Sequence, residues 1–113
     1  MKKIGIMVCE KANKVCAGCS CLNAFNGKTH AFKQYEGEEV ELGAFFRCSA
    51  CEEVKINDDK GFLEKVQRLK KENIEKVHIG ICMEQTNCKK KNDMKKYLED
   101  LGIEVLFGTH THR

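Results

Sequence analysis

The chain has no proline. That removes the cis-proline a thioredoxin-like fold normally sets beside its redox cysteine pair. Long apolar runs are missing too, and nothing approaches the ~20 residues of a membrane span. The start, "MKKIGIMVCEKANK", carries two lysines, but Glu10 and Lys11 close its apolar run after Cys9. A secretory signal needs ~7–15 apolar residues and a small-residue cleavage site. A buried strand and a cytoplasmic location are therefore expected, with no membrane partner. Strong charge of one sign is absent: 20 basic and 17 acidic residues leave a net charge of +3. The run Lys89-Lys90-Lys91 has no aromatic neighbours and reads as a solvated loop, so no nucleic-acid partner is expected. There is no GxGxxG or GxxxxGK[ST] phosphate loop. A Cys-x5-Arg phosphatase or arsenate reductase loop fails as well, because the sixth residue after Cys9 is Val15.

What remains is one domain spanning residues 1–113, without linker, repeat or low-complexity stretch. Its length supports an ordinary core without covalent staples. Four short apolar runs stand out: Ile4–Val8, Val40–Phe46, Val77–Ile81 and Glu104–Phe107. Three of them are too continuous for a strand wetted on one side, and suit strands covered on both faces. Helical patterns separate the runs. Phe62, Val66 and Leu69 follow i, i+4, i+7, with Asp58 or Asp59 placed to cap them. Met94, Tyr97, Leu98 and Leu101 form a second stripe, with Asn92 as its N-cap and Gly102 at its C-terminal stop. The first inter-strand segment reads as partly helical, with a break at Asn26-Gly27. Alternating strands and helices predict an α/β fold. Its expected form is three-layered and flavodoxin-like, with about four parallel strands in order 2-1-3-4 and helices on both faces.

Eight cysteines are many for 113 residues. In a reducing compartment such a count points to metal or redox chemistry rather than disulfides. Their positions sharpen this. Cys9 ends the first strand, Cys48 and Cys51 follow the second, and Cys82 ends the third with Cys88 in the loop beyond. His110 follows the fourth strand. All these ends share the carboxyl edge of a parallel sheet, where sites form around the reversal of strand order. Cys9 and Cys82 should face each other there. Cys16, Cys19 and Cys21, in "VCAGCSC", can fold over the same edge. Buried free cysteine is also a common small hydrophobe, and Cys82 best suits that inert role. His78, inside the third strand, reads as a satisfied core histidine. His30 should be exposed, and His112 lies near the chain end.

Thiolate and imidazole suit borderline-soft metals. Zinc takes four ligands, and iron–sulfur clusters use four thiolates. "CSAC", residues 48–51, has the local spacing for either, although no ribbon or ferredoxin template fits the rest. A thiol–disulfide or metalloid-reducing enzyme using Cys48/Cys51 is the alternative.

With these residues in view, the chain resembles the CGGC-domain family of small prokaryotic proteins. The resemblance rests on Cys9-Glu10, on Cys16, Gly18 and Cys21, on Cys48-Ser49-Ala50-Cys51, on His78 with Cys82, on Cys88, and on Gly108-Thr109-His110. Ser49 and Ala50 replace the two glycines of the naming motif, and Cys19 is an added thiol. The resemblance implies metal binding without specifying metal, substrate or reaction. The expected metal set is Cys9, Cys16, Cys21, Cys48, Cys51, Cys82, Cys88 and His110, holding zinc or an iron–sulfur cluster. Cys9, Cys48, Cys51 and Cys82 are its core.

Overall fold

Strand β1, Lys2–Val8, is buried at every residue from Ile4 onward. A strand apolar on both faces must lie inside a sheet with cover on each side. The computed structural model, which describes residues 2–9, 17–48, 58–80, 82 and 91–109, places it so. β1 pairs in parallel with β2, Val40–Arg47, on one side and with β3, Lys76–Ile79, on the other. β4, Glu104–Phe107, pairs in parallel with β3. The strand order is 2-1-3-4, as the sequence predicts. β3 is shorter than expected and ends at Ile79. Gly80 still donates its N–H to the Met7 carbonyl at 2.7 Å.

Helices cover both faces. One layer joins Met7, Val77, Ile79 and Val105 to Phe62, Val66 and Leu69 of helix α2, Lys60–Lys71. Met94 and Leu98 of α3, Lys91–Asp100, complete it. The opposite layer joins Ile4, Ile6 and Val8 to Ala24 and Phe25 of α1, Cys19–Gly27. Phe32 and Tyr35 of a 3-10 helix, His30–Tyr35, pack with them. Each large apolar side chain taken fully out of water contributes ~1.5–3 kcal/mol, which makes the stripes decisive.

The helix ends follow local chemistry. Asp59 Oδ1 accepts the Phe62 N–H at 3.0 Å, capping α2. α1 ends at Gly27, and Lys28 takes a left-handed turn with φ of 52°. Past α3, Gly102 has φ of 88° and Ile103 N–H returns to the Leu98 carbonyl. Asn92 does not precede α3 as a cap. The helix already includes Lys91, so Asn92 sits in its first turn beside Asp93, whose carboxylate suits the positive helix end.

β2 contains a feature its alternation hides. Lys2 to Ile4 pair with Val40 to Leu42, whereas Gly5 to Val8 pair with Ala44 to Arg47. Gly43 is thus the extra residue of a bulge. Val40 and Leu42 pack into the α1 layer, but Ala44, Phe46 and Cys48 pack into the α2–α3 layer. A side-chain carbon at residue 43 would meet Ile74 Cδ1 at 2.6 Å. Gly43→Ala should therefore cost about 1–3 kcal/mol as an overpacking change. In an Ile74→Val background, which lacks Cδ1, that cost should shrink. A double-mutant cycle of denaturant midpoints measures the coupling; strict additivity would exclude this contact as the cause.

Candidate functional site

Parallel pairing brings the four carboxyl ends to one edge. Cys9 follows β1, is 3% exposed and packs in the α2–α3 layer. Cys48 follows β2 and is equally buried in the same layer. Its N–H donates to the Val8 carbonyl at 3.0 Å, extending the β1–β2 ladder by one residue. Cys82 lies beyond β3, is half-buried, and touches both apolar layers. Its sulfur accepts the Cys9 N–H at 3.1 Å. The expected meeting of Cys9 and Cys82 at the reversal of strand order therefore occurs.

Gly80 makes this approach possible. A carbon added there would lie 3.2 Å from both Cys82 Sγ and the Met7 carbonyl oxygen. Without one, the backbone after β3 lies directly against β1, and the sulfur tucks in beside it.

The remaining thiols are placed differently. Cys21, in the first turn of α1, is 4% exposed and belongs to the opposite layer. Its S–H donates to Thr109 Oγ1 at 3.3 Å. Cys19, two residues earlier, is exposed. Cys16, Cys51, Cys88, His110 and His112 lie outside the described residues. Among the described residues, no three His, Cys, Asp or Glu side chains are grouped closely enough to hold a metal ion.

His78 is fully buried in β3. Its Nδ1 meets the Gly108 carbonyl at 3.0 Å and its Nε2 meets the Tyr35 hydroxyl at 2.7 Å. A carbonyl can only accept, so Nδ1 carries the proton. Nε2 of the neutral ring then accepts from Tyr35. The Phe32 ring lies against the imidazole, with centroids 4.5 Å apart. Burial is the main cause that pushes the His78 pKa down. The Gly108 bond and the Glu104 charge oppose it, and Lys76 adds to it. Burial also raises the Tyr35 hydroxyl to about 12, with help from Glu104 and Glu38. The satisfied core histidine read from the sequence is thus present. Its partner Tyr35, and the pairing of Thr109 with Cys21, were not foreseen. The one available signal was general: a histidine in an apolar strand must find partners for both nitrogens.

A family model for the CGGC domain matches residues 3–110. An uncharacterized protein of Methanocaldococcus jannaschii is 35% identical over 119 aligned residues, covering 96% of this chain and 87% of the relative. No solved structure matches the chain. The chain belongs to the CGGC-domain family. Within this CGGC domain, the His78 element and the Gly-Thr element at residues 108–109 are one physical unit, joined through the Nδ1 bond. Among the described residues, no helix is long and apolar enough to cross a membrane.

The lowered His78 pKa sets a direction for stability. Above the ordinary imidazole value of ~6.5, folded and unfolded chains both carry neutral His78, and the residue contributes no pH dependence. Below it, the unfolded chain takes up a proton that the folded CGGC domain resists, so stability falls as pH falls. Thermal midpoints between pH 7 and pH 5 should decline in the parent protein and decline less steeply in His78→Asn. Parallel profiles would remove His78 as a source of the slope.

Proposed function

We propose that this CGGC domain binds a metal through thiols at the carboxyl edge of its sheet, in a metal-handling or sensing role. The proposed core ligands are Cys9, Cys48, Cys51 and Cys82. Cys16, Cys21, Cys88 and His110 complete the centre or form a second one. The observation that carries this reading is the meeting of Cys9 and Cys82 where strand order reverses, with Cys48 at the neighbouring strand end. The Cys9 N–H already points at the Cys82 sulfur, and Cys48 is bonded to the backbone one residue before Cys9.

The donors fit the cargo. A thiol-rich set with one imidazole selects zinc or an iron–sulfur cluster over hard cations such as magnesium or calcium. A backbone N–H directed at sulfur, as from Cys9 to Cys82, suits a centre whose thiolates carry excess negative charge. Eight thiols exceed one tetrahedral zinc site, which leaves room for a cluster or for two sites. Bound zinc or a cluster would supply the positive charge that makes buried thiolates affordable. The burial of Cys48 weighs against its use as a freely attacking thiol, because reactive cysteines are usually partly exposed.

Anaerobic purification, followed by a visible spectrum and by metal, sulfide and free-thiol analysis, tests the reading. Brown colour with iron and sulfide identifies a cluster, and a colourless protein with stoichiometric zinc identifies a zinc site. Cys48→Ala should reduce bound metal to a small fraction of the parent level, while Cys19→Ser leaves it unchanged. A metal-free parent protein that cycles one disulfide would overturn the proposal in favour of redox chemistry.

A further inference from the structure

We propose that Tyr35 and His78 are positioning residues for a latch on Cys21, acting through the Gly108–Thr109 turn. The latch is built from bonds that converge on two consecutive residues. Gly108 donates its N–H to the Ile79 carbonyl at 2.8 Å and accepts at its own carbonyl from His78 Nδ1 at 3.0 Å. Thr109 accepts at its carbonyl from the Ala31 N–H at 3.3 Å. Thr109 is 1% exposed, and its hydroxyl accepts the Cys21 thiol at 3.3 Å. The turn thus ties β3, the start of the 3-10 helix and the first turn of α1 together.

Tyr35 enters one step back. Its hydroxyl bond to Nε2 fixes the tautomer, so the proton stays on Nδ1, facing Gly108. The Phe32 ring, fully buried against the imidazole, closes off other orientations. Tyr35 and His78 are 43 residues apart in sequence, and Cys21 and Thr109 are 88 apart. The fold therefore connects four distant side chains through one backbone turn.

The consequence is a division between two thiols of the same helical turn. Cys19 is open to solvent, whereas Cys21 is buried and held at the Thr109 hydroxyl, so release of the turn raises its access to reagents. The latch does not require the metal proposal, because every bond in it is made within the protein. It would persist if no metal bound.

Alkylation by iodoacetamide, which forms an S–C bond and expels iodide, reads the latch directly. Rates are followed for each cysteine by peptide mass spectrometry on the full chain, with and without EDTA. Thr109→Val and Tyr35→Phe should each speed Cys21 alkylation about tenfold, the factor matching one hydrogen bond of ordinary strength. Thr109→Ser, which keeps the hydroxyl, should restore the parent rate. The double variant Tyr35→Phe/Thr109→Val should exceed either single variant by little, because both open the same latch. Cys19 should not change. Three results would each overturn the proposal: unchanged Cys21 in Tyr35→Phe, an equal rise at Cys9 and Cys48 showing general loosening, or an effect seen only with EDTA.

Discussion

Everything at the carboxyl edge depends on β1 being hydrogen-bonded on both sides. Its backbone serves β2 and β3 at once, and its alternate side chains serve two cores. Ile4, Ile6 and Val8 fill the α1 layer, while Met7 and Cys9 fill the α2–α3 layer. A strand so used has no solvent face, and its carboxyl end marks the point where strand order reverses. Backbone pairing continues beyond its last regular partners. Cys48 N–H reaches the Val8 carbonyl, Gly80 N–H reaches the Met7 carbonyl, and Cys9 N–H reaches the Cys82 sulfur. The chain ends that carry Cys9, Cys48 and Cys82 are therefore brought to one edge mainly by main-chain pairing.

Much of this was legible in the residues. Continuous apolar runs announced covered parallel strands, and the stripe of Phe62, Val66 and Leu69 announced the inner face of α2. All three side chains are buried. The positions of Cys9 and Cys82 at strand ends announced their meeting. The bulge at Gly43 was not legible. Val40, Leu42, Ala44 and Phe46 alternate with perfect regularity, which reads as one face. The extra residue sends the first two to one layer and the last two to the other. Only cross-strand register decides that, and register is a property of the pair. The bond between Thr109 and Cys21 was hidden for the same reason: neither residue carries a local signal of the other. Asn92 looked like a cap because caps are read from residue type, whereas it already lies within α3.

The two layers give the edge two kinds of polar chemistry. On the α1 side, hydrogen bonds link Tyr35 to His78, His78 to the Gly108 carbonyl, and Cys21 to Thr109. A network satisfied without net charge survives burial at low cost. On the α2–α3 side, Cys9 and Cys48 are almost wholly enclosed with apolar neighbours. Cys82, in contact with both layers, is where the two sides meet.

That asymmetry bears on how the domain can respond to a ligand. On the proposed metal reading, a cation at the thiol edge would add charge on one side of β1 while the hydrogen-bonded network on the other side kept its neutral form. Cys82 is the described thiol that packs against both sides, so movement of its sulfur toward a metal must repack contacts in both layers. Close-packed layers pass on such displacements rather than absorb them. The Gly108–Thr109 turn lies at the end of β4, tied to β3 through Ile79 and His78. A shift in the backbone after β3 therefore has a physical route to the turn that holds Cys21.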